Sequence, residues 1–181
     1  MPQLVVPTLR GAGLRLRPFE SRDASLIQEV SIDPLIPLIT TVPMTDSIAD
    51  ARAFIERQHD RASTGTGYSF CIATADSDEA VGQIGLWPGD EQHGRASVGY
   101  WVAGRHRGHG IAVAALTIIS EWGLALPGIA RLELYVEPWN VGSWRSAERA
   151  GYEREGLLRQ WQVVDGVRRD MYMYSKLQVQ R

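Results

Sequence analysis

The chain has a single cysteine in 181 residues, Cys71, which rules out an internal disulfide. Its place inside the apolar run 69–73 predicts a buried thiol and not a nucleophile. No apolar stretch reaches membrane-spanning length, and residues 1–7 lack the basic start and long apolar core of a signal peptide. A cytoplasmic protein without a membrane partner is therefore expected. The formal net charge is only −2, which argues against general affinity for nucleic acid. Repeats and low-complexity tracts are also missing, as is any sign of a second domain. With 22% charged and 44% AVILMFWYC residues, 1–181 reads as one globular domain with a substantial core.

Periodicity divides the chain into short elements. Residues 14–19 alternate apolar and basic, as a half-buried strand does, and Asp23 opens a helix reaching about Ser31. Pro34, Pro37 and Pro43 forbid a continuous helix over 32–44 but leave an apolar segment able to line a pocket. Ser47 to Asp50 fits a capping box for a helix running to about Ala62. Residues 68–75 and 79–87 read as a hairpin, 89–94 as a polar loop and 96–103 as a third strand. A helix from Gly110 carries Ile111, Ala115, Ile118, Ile119 and Trp122 on one face. In the strand 131–137, Leu132, Leu134 and Val136 face one way while Glu133, Tyr135 and Glu137 face the other. A helix over 141–150 ends at Gly151, and strands 153–163 and 168–177 flank the turn pair Asp165-Gly166. The order predicts an α/β (α+β) mixed sheet with helices on its faces and a right-handed parallel crossover over 96–137.

The most informative stretch is 100–112, where a strand enters a basic, glycine-rich loop and then a helix. Such a loop turns several backbone N–H groups toward one anion, aided by the positive end of the helix dipole. Gly108 and Gly110 remove Cβ atoms that would keep a phosphate away and permit positive φ; Arg105 and Arg107 add charge. Val113 stands where a dinucleotide fingerprint needs its third glycine, and no Walker lysine follows Gly110. His106 and His109 lack a carboxylate or thiolate partner for a metal, so none is assigned. The loop opens at the carboxyl end of a strand, where open α/β sheets place ligands.

Four motifs in order carry a family resemblance: Leu14-Arg15-Leu16-Arg17-Pro18-Phe19, the 105–110 loop, Asn140 with Ser143 before Glu148-Arg149-Ala150-Gly151-Tyr152, and 154–159 with Arg169-Asp170. The chain resembles the GCN5-related N-acetyltransferases (GNAT), in particular the RimJ/RimL-like branch. The resemblance covers nearly the whole chain. It implies a mostly antiparallel central sheet with a splayed parallel strand pair, 96–103 and 131–137, holding acetyl-CoA as co-substrate. The backbone at Trp101, Val102 and Ala103 would bind the pantetheine amides. Arg105, His106, Arg107, Gly108, His109, Gly110, Ile111 and Ala112 would cradle the phosphates. Asn140 would steady the arm, and Ser143 would approach the thioester sulfur. Many members place a tyrosine acid seven residues after that asparagine; here the position is Ala147, which leaves Ser143 as the replacement.

An attacking amine must lose a proton, and the leaving thiolate benefits from a donor. Glu133 is the favoured base, with Tyr135 on the same strand face as the other candidate. The acceptor is a primary amine, either a protein N-terminal α-amine or a small-molecule amine, and segment 34–44 is expected to choose it. Trp87, Trp139, Trp144 and Trp161 offer an aromatic acceptor pocket, core packing or a dimer interface. A succinyl-CoA donor would call for a basic residue near 34–44, and none lies between 32 and 44. Two other classes stay open: a non-catalytic CoA-binding sensor or assembly module, and a nucleotide-binding protein. By analogy with relatives, hairpin 153–177 offers a homodimer interface.

Overall fold

In the computed structural model, which describes residues 4–178, the alternating start of the chain does become a strand, but not a half-exposed one. Arg17 is buried and forks onto Asp23 with two hydrogen bonds of 2.7 and 3.0 Å. Asp23 also accepts from the Glu20 N–H at 2.7 Å, so its carboxylate ties strand to helix instead of capping the helix alone. Residues 1–3, part of the segment read for a leader, and 179–181 lie outside the described residues.

The strands are β1 (Leu9–Gly11), β2 (Leu14–Arg17), β3 (Tyr68–Thr74), β4 (Ala80–Asp90), β5 (Arg95–Val102), β6 (Arg131–Val136), β7 (Glu153–Val164) and β8 (Val167–Leu177). They form one sheet in the order β1-β2-β3-β4-β5-β6-β8-β7, antiparallel except for β5 with β6. The helices are α1 (Ala24–Val30), α2 (Ile36–Ile39), α3 (Ile48–Ser63), α4 (Ile111–Leu124) and α5 (Val141–Arg149). β1 went unread, being three residues long. α2 is a single turn in the proline-rich segment, with Pro37 in its first turn, where the missing N–H costs nothing. β4 runs through Pro88 to Asp90, shortening the expected polar loop to a 3-10 turn.

Alternation in the strands feeds two cores. Leu16, Phe70, Ile72, Ile84, Leu86, Leu132 and Leu134 meet α4 and α5 on one face. Cys71, Trp101 and Ala103 meet Phe19, Ile27, Val30 and Phe54 on the other. Cys71 is fully buried, and burial pushes its thiol pKa up. A buried network crosses the second core: Trp101 Nε1 donates to Gln83 Oε1 at 2.7 Å, and Gln83 Nε2 donates to Gln58 Oε1 (2.9 Å) and Ser69 Oγ (2.8 Å). Satisfied in this way, these polar groups fix the placement of α3 on the sheet.

The parallel pair is very short. Only Arg95, Ala96 and Ser97 pair with Arg131, Leu132 and Glu133. Beyond them β5 keeps β4 on its outer side and β6 keeps β8, while the facing edges diverge. One cavity is bordered by both strands where they diverge, and another by the end of β5 and the loop after it. Among the described residues no helix is long and apolar enough to cross a membrane.

Candidate active site

The first cavity, about 480 Å³, is built from the β5–α4 loop and the start of α5. After a 3-10 turn at Gly104–His106, Gly108 and Gly110 adopt φ of 81° and 78°, and Gly110 caps α4 from the left-handed region. Open space lies where their Cβ atoms would stand. The loop therefore presents bare backbone and a helix N-terminus to the cavity, the arrangement that suits an anion. Of the expected cofactor contacts, Trp101, Val102, His106, Arg107, Gly108, Gly110, Ile111, Ala112, Asn140 and Ser143 border this cavity; Ala103, Arg105 and His109 do not.

The loop arginines are already paired. Arg105 bonds Glu29 and Glu79, and Arg107 donates to Asp33 at 2.8 Å and to the Val102 carbonyl at 3.0 Å. Arg145 and Arg149, four apart on α5, border the cavity from the opposite side and bond no carboxylate among the described residues. Sequence reading missed both, although i, i+4 arginines flanking Ser146 on a short amphipathic helix were the available signal.

The second cavity, about 370 Å³, lies beside the divergent strands and is bordered by Thr40, Thr41, Arg61, Trp87, Gly99, Tyr135, Glu137 and Gln162, among others. Ile39, Tyr100, Trp101, Asn140 and Ser143 border both cavities, so the two meet there. Segment 34–44 reaches both, through Leu35 and Ile36 on one side and Thr40 and Thr41 on the other.

At the junction, Asn140 caps α5 by accepting from the Ser143 N–H at 3.2 Å. The Tyr100 hydroxyl stands 3.0 Å from Ser143 Oγ and donates to the Ser143 carbonyl at 3.1 Å. Burial raises the Tyr100 pKa, keeping it a protonated donor. A tyrosine hydroxyl thus reaches this junction from β5, while the helix position expected to carry one is the buried Ala147. In the sequence Tyr100 stands only as one residue of the strand that enters the glycine loop.

Glu133 is buried and occupied. Oε1 accepts from Arg131 Nε and Oε2 from the Tyr135 hydroxyl, both at 2.8 Å, with Arg95 4.0 Å away. It is not among the residues bordering either cavity; Tyr135 is. Burial, with Glu133 beside it, pushes the Tyr135 pKa to about 12. Its ring stacks on Trp161 with centroids 5.8 Å apart. Glu137, two residues further along the same strand face, is nearly buried, borders the second cavity and has Arg169 3.7 Å away. The four tryptophans do not gather into one pocket: Trp87 borders the second cavity, Trp161 covers Tyr135, Trp144 packs on the core and Trp139 is exposed. Among the described residues, no group of three or more His, Cys, Asp or Glu side chains is placed to hold a metal.

A sheet split by a three-pair parallel seam, with a glycine-loop cavity meeting a second cavity at a hydroxyl pair, defines a group-transfer enzyme with two substrates. Residues 13–153 match the family model for the acetyltransferase (GNAT) domain, and the chain belongs to that family; it is an N-acetyltransferase. It is 32% identical to the uncharacterized N-acetyltransferase p20 of Bacillus licheniformis, over 94% of this chain and 96% of that one. It is similar to Mycobacterium smegmatis RimJ, solved with a CoA-disulfide, at 28% identity and TM-score 0.79 over 95% and 86% of the two chains. It also shares its fold with the Microcin C7 self immunity acetyltransferase MccE, solved with acetyl-CoA and AMP, at 24% identity and TM-score 0.80 over 93% and 94%.

Proposed function

We propose that this enzyme moves an acetyl group from acetyl-CoA to a primary amine by direct attack in a ternary complex. The observation that carries the reading is the meeting of the two cavities at Tyr100 and Ser143. The glycine-loop cavity suits the donor: Gly108, Gly110 and the α4 N-terminus would face its pyrophosphate, with Arg145 and Arg149 opposite. The second cavity suits the amine. Attack forms a C–N bond at the thioester carbonyl and breaks the C–S bond. The amine nitrogen gives up a proton, and one proton ends on the sulfur of CoA. Ser143, held by the Tyr100 hydroxyl, is the donor to that sulfur. The amine proton goes to a carboxylate on the cavity face of β6, where Glu133 acts through the Tyr135 hydroxyl. Glu137, which borders the cavity itself, is the second candidate on that face.

Two measurements test this. Calorimetric titration should show acetyl-CoA binding where ATP and NAD are silent; the reverse result would sink the reading. Thiol release with an accepted amine should fall about a hundredfold in Ser143→Ala and in the Gln variant of the true base, with acetyl-CoA affinity held within about threefold. Comparing Glu133→Gln with Glu137→Gln identifies that base. Binding without amine-dependent thiol release in the wild type would favour a CoA-binding sensor.

A further inference from the structure

The second cavity has a floor that is specified in unusual detail. Trp87 lies flat across three glycines, so that a Cβ would stand 2.4 Å from its ring at Gly67, 2.6 Å at Gly85 and 3.1 Å at Gly99. The contacts at Gly67 and Gly85 leave no room for a side chain while the ring stays where it is, and the one at Gly99 is tight, so the ring keeps this place because these positions are glycine. Over the indole sits the guanidinium of Arg61, 5.5 Å from the ring centroid, and both residues border the cavity.

Arg61 is the one cationic side chain among the described residues bordering this cavity. Eight of the other described arginines, among them Arg95, Arg131 and Arg169, stand within ion-pair distance of a carboxylate, while Arg57, Arg145 and Arg149 do not, so it is the place of Arg61 on the cavity that matters. Among the described residues Arg61 has neither an ion pair nor a side-chain hydrogen bond; its guanidinium rests on the neutral Trp87 ring. It is half-buried, and burial together with the neighbouring Arg57 disfavours its charge. Its place in the last turn of α3 accounts for a cation on that helix, since the dipole favours one there, but not for a cation turned over an aromatic floor. A partly desolvated guanidinium whose donors open on a cavity is placed to meet an anion there. The one carboxylate among the described residues bordering the cavity, Glu137, comes from the end of β6 and has Arg169 beside it.

We infer that Arg61 on its Trp87 floor is a subsite for an anionic group of the acceptor, so that the amine substrate carries a carboxylate or phosphate held away from its amino group. The inference rests on the acetyl-transfer reading of this cavity and names its substrate class. The acetyl step itself is unchanged; the amine still attacks the thioester carbon, and Arg61 orients it from the far end. Arg61 supplies the basic side chain that segment 32–44 lacks, on the neighbouring helix.

The test uses the full chain with acetyl-CoA and matched amine pairs: β-alanine against β-alaninamide, O-phosphoethanolamine against ethanolamine, and the C-terminally amidated peptide Ser-Glu-Ala against its Ser-Gln-Ala counterpart. The anionic member of at least one pair should show about tenfold higher kcat/KM for thiol release, and the pair that does so tells carboxylate from phosphate and small molecule from peptide. In Arg61→Met that ratio should fall toward one, while Arg61→Lys should retain part of it. A readout without turnover accompanies this: glutarate or inorganic phosphate should raise the Tm of the wild-type acetyl-CoA complex and not that of Arg61→Met. Absence of both effects overturns the inference, as does an anion preference that survives Arg61→Met. An Arg61 effect seen only with succinyl-CoA also overturns it, because the anion then belongs to the acyl chain. Loss of acetyl-CoA binding would instead count against the transferase reading, and an Arg61-dependent anion response would still stand.

Discussion

The two cavities are built in opposite ways. The glycine-loop cavity draws most of its border from two nearly continuous stretches, 100–113 and 140–149, and offers backbone, glycine and a helix N-terminus. The second cavity draws on α3, β4, β5, β6, β7, β8 and the segment after α2, and offers side chains. A diphosphate looks the same whatever acyl group follows it, so contacts to main chain suffice and hardly depend on side-chain identity. An acceptor differs from enzyme to enzyme, and only side chains can follow that variation.

Substitutions on each side sharpen this contrast. The largest effect is expected at Gly108, where φ is 81° and a side chain would project toward the anion site. Gly108→Asp adds strain and a like charge, and should weaken acetyl-CoA binding about a hundredfold by calorimetry. On the other side, Gly85→Val must displace the Trp87 ring, lying 2.6 Å from the new Cβ. It should raise the acceptor KM about tenfold and shift tryptophan emission while leaving the acetyl-CoA Kd within about twofold, the reverse of the Gly108 pattern. Equal damage to both ligands from either substitution would break the comparison.

The smallest effect concerns the short β5–β6 seam, through Arg131. Hydrogen bonds from Arg131 (2.8 and 2.6 Å) and from Ser175 (2.5 Å) hold the Glu155 pKa down at about 2. A carboxylate whose folded pKa lies below the unfolded value, about 4.3, contributes stability in full above that value and loses it as pH falls toward 2. The pair is partly exposed, so the contribution is less than about 1 kcal/mol. Urea unfolding of Glu155→Gln should therefore show a small deficit at pH 7 that shrinks between pH 4 and pH 2. A deficit that grew on acidification would contradict the assignment.

Most of the architecture was legible because its signals are local. The alternation in 131–137, the three-and-four spacing after Gly110 and the Asp165-Gly166 turn each fix an element within a few residues. The mixed sheet with one parallel pair and helices on both faces follows from their order. The loop of the first cavity was legible for the same reason. The second cavity was not, because its residues are distant in the chain and each has an ordinary local reading. Arg61 looks like a C-terminal helix cation, Tyr100 like a strand aromatic, and Gly85 and Gly99 like weak points in strands. Only the register Gly85 to Gly99 puts those two glycines side by side under one indole. Glu133 shows the converse: its strand face was read correctly, yet the neighbours that occupy both its oxygens, Arg131 and Tyr135, lie two residues away on that same face.

The three-residue seam between β5 and β6 also bears on how the empty protein behaves. Past Ser97 and Glu133 the facing strand edges have no partner strand among the described residues, so the molecule carries inside itself the kind of open margin that proteins usually blunt at the rim of a sheet. An extended, amide-bearing ligand lying in that gap would serve as its missing rung, and occupancy would then double as folding energy. Cellular levels of the ligand would in that case set the lifetime of the enzyme as well as its rate.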